Sequence, residues 1–250
     1  MVAGLLVYIF GGRYLPPEPP RQPVARSART RFSRPIILLM LAVGFAATLF
    51  RGAYQQVGNT VAIWLESGVD RGVGSLSIPM TWFQALNPML IFALIPLVNM
   101  VWASQAKRDR EPSSVTKMGI GCILAGLSFL VMIPPSLAVG SGEKVSMLWL
   151  AGCIAILTLG EIYLSPIGLS LVTKLAPPRM VSMLMGMWLM SSFFGNYLSG
   201  YIGSYWEKTS KEAFFILLAV IAIGAGLGIL LVGKPLKRAM GPRENGAANF

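Results

Sequence analysis

The 250-residue chain is apolar and basic, with 54% hydrophobic residues, 12% charged residues, a net charge of +11 and no His. Soluble domains carry about 25% charged residues, and nucleic-acid binders gather Lys and Arg on one face or helix, whereas here they lie in short clusters between long apolar runs. The lack of His excludes His-based metal sites and catalytic triads. Cys122 and Cys153 lie in apolar runs and are interpreted as small hydrophobes. We therefore expect a membrane protein that is not an enzyme and binds neither metal nor nucleic acid.

The first 34 residues precede the long apolar spans. Residues 1–12 begin with an apolar run that is too short to cross a membrane, which takes about 20 residues, so they are interpreted as the end of a transmembrane helix whose start is missing. Residues 13–34 are rich in Pro and Arg. This composition predicts a solvated linker.

Six apolar spans follow and predict an all-α membrane bundle. Each span is long enough to cross a bilayer, and each should be helical because lipid cannot satisfy backbone polar groups. Their approximate limits are 35–65, 78–106, 118–138, 145–173, 180–206 and 213–233. The predicted organisation is a six-helix transmembrane bundle over residues 35–233 with a tail over residues 234–250.

The basic residues predict the orientation of the bundle. Most Lys and Arg flank one side of the spans, and the opposite side has only Arg71, Lys144, Lys208 and Lys211. Cytoplasmic loops carry the excess of Lys and Arg. The linker and the C-terminal tail are therefore expected to be cytoplasmic, in a multi-pass protein of the plasma or inner membrane.

Two charged residues lie at membrane depth, where charges are rare, costly and usually functional. One of them, Glu161, is the only acid of the fourth span, and Ser165 shares its helix face one turn later. Pro166 frees a backbone carbonyl and can kink the helix. This arrangement suits a cation or a protonated amine as ligand, and the alternative is a structural ion pair with Arg51 or with another helix.

The second intramembrane charge, Arg51, begins a polar stripe on the first span. Gln55 follows one helical turn later and Asn59 one turn further, with Gly58 able to tolerate local unwinding. Such a stripe either lines an aqueous cavity or hydrogen-bonds to a neighbouring helix.

Other spans carry polar residues at similar depth. They are Gln84 and Asn87 on the second span and Trp188, Ser192 and Asn196 on the fifth. A Trp, amides and a carboxylate around one cavity would suit a ligand with an apolar body and charged ends. The alternative for Trp188 is simple packing.

Small residues recur at four-residue spacing on the last two spans. They are Gly195, Ser199 and Gly203 on the fifth and Gly224 and Gly228 on the sixth. Because such spacing lets helix backbones approach closely, these residues predict packing ridges.

Motifs in four spans resemble those of the proton-dependent oligopeptide transporters, a family of the major facilitator superfamily. The most specific is Gly160-Glu161-Ile162-Tyr163-Leu164-Ser165-Pro166, which resembles the family's tenth helix. Weaker matches are Tyr54-Gln55-Gln56 with Gly58-Asn59-Thr60 to the seventh helix, Phe83-Gln84-Ala85-Leu86-Asn87-Pro88 to the eighth, and Met187-Trp188 with Gly195-Asn196-Tyr197-Leu198-Ser199-Gly200 to the eleventh. The resemblance implies that the six spans are helices seven to twelve, the C-terminal half of that fold.

The resemblance also implies a function and a site. The family couples inward proton flow to uptake of di- and tripeptides, so protons would be the coupling ion and no other cofactor is expected. Glu161 matches the position that receives the peptide amino group, and Asn87, Ser165 and Trp188 would line the pocket. Tyr54 and Gln55 are further candidates for substrate binding, and Arg51 and Glu161 are candidates for coupling or an ion pair.

The chain departs from the family pattern in two ways. The family often carries a titratable acid near Gln55, where this chain has Gln55 and Gln56, and Arg51 replaces a residue that is commonly apolar or aromatic. The family's N-terminal six helices are not in the sequence. The expected partners are therefore small peptides, the lipid bilayer, and an N-terminal half or a second copy. The alternative function is a non-transporting fragment or a half-transporter subunit.

Overall fold

The computed structural model describes residues 34–73, 76–142, 144–176 and 180–239. Met1–Arg31 and Phe32–Phe250 form separate units, and the description below concerns the second unit. The predicted helix end over residues 1–12, nearly all of the predicted linker, and the tail from residue 240 onward lie outside the described residues.

Eight α-helices occur within the described ranges. They are α1 (Arg34–Tyr54), α2 (Thr60–Gly68), α3 (Met80–Ala106), α4 (Ser114–Leu130), α5 (Ile133–Gly140), α6 (Leu148–Leu175), α7 (Val181–Gly203) and α8 (Lys211–Ala239). A 3-10 turn, Gln55–Val57, follows α1. The short strands are β1 (Val69–Asp70), β2 (Gly72–Val73), β3 (Leu76–Ser77) and β4 (Val145–Ser146), with β1 parallel to β4 and β2 antiparallel to β3.

The helices occupy the six predicted spans. Five segments are long and apolar enough to cross a membrane: Ile37–Glu66, Thr81–Ala106, Ser114–Gly140, Leu148–Leu175 and Lys211–Gly233. The remaining span forms α7, which is 23 residues long but contains several serines and Asn196. The structure therefore confirms the all-α membrane architecture, whereas a membrane crossing by α7 stays a prediction.

Two of the predicted spans are interrupted helices. The first is broken between α1 and α2, where the 3-10 turn and Gly58 precede Asn59, and this confirms the local unwinding expected at Gly58. The third is broken between Leu130 and Ile133, and prolines occupy the first turn of α5, where a missing N–H costs nothing. The last helix, α8, continues to Ala239, so the first residues of the predicted tail are helical.

Helix α4 approaches α6 and α8 closely at glycine positions, where backbone lies against backbone. A Cβ atom on Gly160 of α6 would lie 2.6 Å from the carbonyl oxygen of Gly121 in α4. A Cβ atom on Gly226 of α8 would lie 2.7 Å from the carbonyl oxygen of Gly119. Such distances leave no room for a methyl group, so α4, α6 and α8 form a tightly packed core.

The predicted packing ridges are half correct. On α7, Gly195 packs against the side chain of Arg51, and Ser199 is buried, so this ridge is confirmed. The ridge on α8 is wrong, because a Cβ atom added to Gly224 or Gly228 would meet no other part of the described fold within 4 Å, and the close contact is made by Gly226 instead. The four-residue spacing is typical of a packing ridge, but α8 is rotated so that the face with Gly224 and Gly228 points away from α4.

Helix α3 is the least buried long helix of the described part. Near its C-terminal end, the Trp102 ring meets the Tyr163 ring of α6 edge-on, with centroids 5.1 Å apart. The Nζ atom of Lys117, at the start of α4, lies 4.2 Å from the Trp102 ring centroid and pairs with Glu111. These contacts attach one end of α3 to the core.

Candidate functional site

Glu161 belongs to a polar cluster that joins the first third of α3 to the middle of α6. Nδ2 of Asn87 donates one hydrogen bond to Glu161 Oε2 at 3.2 Å and another to Thr158 Oγ1 at 3.1 Å. The Thr158 hydroxyl donates to the carbonyl of Ile154 at 2.7 Å, which leaves its lone pairs for the amide. The structure thus brings the predicted residues Asn87 and Glu161 together, and it adds Thr158, which sequence reasoning missed.

Tyr54 connects this cluster to Arg51. The side chain of Tyr54, at the end of α1, is near enough to the Glu161 carboxylate to be influenced by its charge. The Arg51 guanidinium carbon lies 5.9 Å from the centroid of the Tyr54 ring. Among the described residues the only ion pair joins Lys117 to Glu111, so the structure forms no ion pair between Arg51 and Glu161, and the role of these two charges stays a prediction.

The amides of the polar stripe bind α7. Gln55 Nε2 donates to Asn196 Oδ1 at 2.6 Å, and Asn59 Nδ2 donates to Ser199 Oγ at 3.1 Å. Of the two alternatives for the stripe, the structure therefore shows helix–helix hydrogen bonding at Gln55 and Asn59. Arg51 takes no part in it.

Gln56 belongs to a buried network that the sequence did not indicate and that shares Ser199 with Asn59. Its side chain is fully buried, and Nε2 donates to the carbonyl oxygen of Ser199 at 2.8 Å and to Ser199 Oγ at 3.0 Å. The Thr60 hydroxyl donates to Gln56 Oε1 at 3.0 Å. Both the nitrogen and the oxygen of the Gln56 amide thus have hydrogen-bond partners. The network holds the segment between α1 and α2 against α7.

We expect Gln56→Glu to destabilise the bundle at neutral pH by about 1–3 kcal/mol, because a carboxylate would place an acceptor against the Ser199 carbonyl. Protonation of the new acid at low pH should recover part of the loss. The measurement is thermal unfolding in detergent as a function of pH. Gln55→Glu is the matched control, since the Asn196 amide can rotate to donate to a carboxylate. Equal destabilisation by both variants would contradict this view of the network.

Ser165 on α6 and Trp188 on α7 are the remaining predicted pocket residues. Ser165 Oγ, one turn from Glu161, is buried and has no hydrogen-bond partner within the described ranges. The Trp188 indole packs on Gly168, close to two turns from Glu161, and lines an apolar cavity of about 490 Å³ between α1 and α7. The contacts of Trp188 fit the packing alternative, and no described contact joins it to Glu161.

The outward faces of α3 and α7 are apolar. They expose large hydrophobic side chains, among them Trp82, Met89, Phe92, Met187, Phe193 and Tyr197. Apolar patches of this kind mark surfaces that are covered by protein or membrane. The fold and the site together define an integral membrane protein of helical bundle type, with a carboxylate in the middle of α6 and a guanidinium in the last turn of α1.

The sequence profile of the POT family matches residues 25–223, and the chain therefore belongs to the POT family. It is 35% identical over 246 residues to the peptide transporter YePEPT of Yersinia enterocolitica, covering 96% of this chain and 48% of that protein. It is 32% identical over 200 residues to a di-/tripeptide transporter of Lactococcus lactis subsp. cremoris, covering 78% of this chain and 40% of the relative.

Solved structures agree with this assignment. A crystal structure of the peptide transporter POT in complex with sulfate superposes with a TM-score of 0.75 at 26% identity, covering 96% of this chain and 47% of that one. A POT family transporter in complex with a thioalcohol conjugated peptide superposes with a TM-score of 0.73 at 26% identity, covering 81% and 42%. The chain spans about half the length of the relatives that it matches.

Proposed function

We propose that this chain is the C-terminal six-helix half of a proton-coupled symporter for di- and tripeptides. The observation that carries the proposal is the Glu161 carboxylate, which is held in the middle of the bundle by Asn87 and faced by Tyr54. An intramembrane carboxylate without a basic partner is costly, and a peptide ammonium group supplies the missing charge. The names of the relatives in Yersinia and Lactococcus support peptides as substrates.

Ser165 supports the same assignment. Its buried hydroxyl lacks a partner in the described part of the chain, and leaving such a group unsatisfied costs about 1–3 kcal/mol. A peptide bound at Glu161 would lie one helical turn from this hydroxyl and could satisfy it. The binding site on this half is therefore Glu161 with Asn87, Tyr54 and Ser165.

Proton coupling by this half would depend on Glu161. Gln55 and Gln56 cannot titrate, and both make hydrogen bonds to α7 as neutral amides. The other acids of the described apolar segments, Glu66 and Glu212, lie at helix ends. A proton and a peptide ammonium cannot occupy the Glu161 carboxylate together, whereas symport requires both to be bound at the same time. In this proposal the proton that travels with the peptide is therefore carried by a titratable group of the second bundle.

The proposed topology puts the linker and the C-terminal tail in the cytoplasm, on the side with the excess of Lys and Arg. Rocking of two halves around a shared site is the transport mode of this type of fold, so the whole activity requires a second bundle. The partner would be an N-terminal six-helix half, or a second copy of this chain, that covers the apolar faces of α3 and α7. A non-transporting fragment is the second candidate, supported by the half-length match.

The test is dipeptide uptake into membrane vesicles with and without an inward proton gradient. The chain is expressed alone and together with the N-terminal half of the Yersinia relative. We expect gradient-dependent uptake when both halves are present, and a protonophore should abolish it. Uptake no greater than in empty vesicles, with both halves folded in the membrane, would contradict the proposal and favour the fragment.

A further inference from the structure

The apolar cavity of about 490 Å³ between α1 and α7 is separate from the proposed peptide site. Neither Glu161 nor its neighbours Asn87 and Ser165 belong to its wall. On α1 the wall consists of Ile37, Met40, Leu41, Gly44, Phe45 and Thr48. Apolar surface of this kind is covered by protein or by membrane, so the question is what fills the cavity.

The two hydroxyl groups of the wall are already used within their own helices. Thr48 Oγ1 donates to the carbonyl oxygen of Gly44 at 2.9 Å, and Ser191 Oγ donates to the carbonyl oxygen of Trp188 at 2.6 Å. These hydroxyls therefore do not select a polar ligand. A peptide backbone in the cavity would lose its hydrogen bonds to water, whereas a hydrocarbon chain has none to lose.

Methionines make up a third of the wall. They are Met40, Met180, Met183, Met187 and Met190. Methionine side chains are flexible and polarizable, and they adapt to irregular apolar ligands. A wall of this composition suits a ligand that is itself a flexible hydrocarbon chain.

The cavity has the depth of one membrane leaflet and a cation at one end. From Ile37 to Thr48 its wall on α1 rises by about 16 Å, which is about half of the roughly 30 Å hydrocarbon core. Arg34 lies one turn before Ile37 on the same helix face. It is exposed and has no ion pair within the described ranges.

Helix α6 brings a second basic residue to this part of the fold. Val172 belongs to the cavity wall, and Lys174 follows it in the last turn of α6 with an exposed side chain. The proposed topology places this end of both helices at the cytoplasmic surface. Basic pockets between transmembrane helices on that side of a membrane bind anionic lipid headgroups.

We infer that the cavity binds one acyl chain of an anionic phospholipid, with the phosphate of that lipid at Arg34. The acyl chain gains by burial against the methionines and Phe45, at about 0.8 kcal/mol per buried methylene group. The guanidinium fork of Arg34 binds the phosphate oxygens. The inference goes beyond the proposed function, since it concerns a lipid site that does not include Glu161.

A helix of a second bundle is the competing occupant. It would cover the same apolar wall, but nothing in the wall calls for its backbone or polar side chains. A phospholipid is present at this depth wherever the chain lies in a bilayer, and it supplies an anionic group beside Arg34. The charge at the end of the cavity therefore favours the lipid.

The test is quenching of tryptophan fluorescence in nanodiscs by phospholipids that carry bromine on the acyl chain. Trp188 lines the cavity, and the difference between the wild type and Trp188→Phe isolates its signal. We expect brominated phosphatidylglycerol to quench this signal half-maximally at an about fivefold lower mole fraction than brominated phosphatidylcholine. A factor of this size is the effect of one basic residue beside an anionic headgroup.

Two variants separate the headgroup contact from the chain contact. Arg34→Gln should abolish the preference for phosphatidylglycerol, whereas Lys144→Gln, which removes an exposed charge near β4, should not. Gly44→Phe should fill the cavity and reduce quenching of Trp188 by both lipids, since a Cβ atom at Gly44 meets nothing within 4 Å. Gly224→Phe is its control, because a Cβ atom there also meets nothing within 4 Å and the cavity wall does not include it.

Three results would overturn the inference. They are equal quenching by the two lipids in the wild type, an unchanged preference in Arg34→Gln, and unchanged quenching in a folded Gly44→Phe protein. Loss of the Trp188 quenching on co-expression with the N-terminal half of the Yersinia relative would also overturn it, by assigning the cavity to the second bundle. The proposed peptide transport is tested by uptake and stands or falls separately.

Discussion

Replacing Glu161 with glutamine is expected to lower dipeptide affinity by on the order of a hundredfold, since removing one partner of a buried charge pair costs about 3–5 kcal/mol and the open site recovers part of this in water. The substitution keeps the shape of the side chain, and the new amide oxygen can still accept the hydrogen bond from Asn87. It loses the negative charge that the peptide ammonium needs. The affinity of Ala-Ala, measured by calorimetry in nanodiscs, reports the loss directly.

This binding experiment has two controls, one peptide and one variant. N-acetyl-Ala-Ala lacks an ammonium group, so its already weak binding should not fall further in Glu161→Gln. Glu66→Gln is the matched variant, because Glu66 is an exposed acid near the end of α2. Undiminished Ala-Ala binding by a folded Glu161→Gln protein would remove Glu161 from the peptide site.

Replacing Gly160 with alanine is expected to destabilise the bundle by about 3 kcal/mol, at the upper end of overpacking effects. The added methyl group would lie 2.6 Å from the Gly121 carbonyl oxygen and 3.1 Å from the Ala125 nitrogen. Both obstacles are backbone atoms of α4, so no side chain can rotate to relieve the contact and the two helices must separate. Glu161 follows Gly160 directly, so peptide binding should weaken as well.

Thiol labelling measures this loss at cysteines that the chain already contains. Cys122 on α4 and Cys153 on α6 are both 0% exposed, as expected for two small hydrophobes. A thiol-reactive fluorophore therefore reports unfolding as temperature rises, and Gly160→Ala should shift the transition downward by several degrees. Gly152→Ala is the control on the same helix, since a Cβ there meets nothing within 4 Å. Equal shifts for both variants would argue against close packing as the cause.

The sequence predicted the architecture well because bilayer chemistry leaves few choices. Long apolar runs must be helices in lipid, and five of the six meet the requirements for crossing. Glu161 was identifiable because a carboxylate in such a run stands out without any knowledge of the fold. The break at Gly58 was foreseeable for a similar reason, since glycine and polar residues interrupt an apolar pattern.

Contacts between helices were harder to foresee. Which face of α8 meets α4 depends on the rotation of both helices, and Gly226 was therefore missed while Gly224 and Gly228 were chosen. Thr158 looks like an ordinary small residue until α3 brings Asn87 beside it. The three hydrogen bonds of the buried Gln56 side chain to Ser199 and Thr60 were not predicted, because this network depends on the position of α7, which a single sequence does not give.

The packing of α4 has a mechanical consequence for the site. Because α4 meets α6 and α8 at close backbone contacts, we expect these three helices to move together and to carry Glu161 with them. Asn87 belongs to α3, which is largely exposed and is otherwise attached at its far end by Trp102. The 3.2 Å hydrogen bond from Asn87 to Glu161 should therefore lengthen when α3 tilts against the core. The distance between spin labels placed on α3 and α6 would measure that tilt.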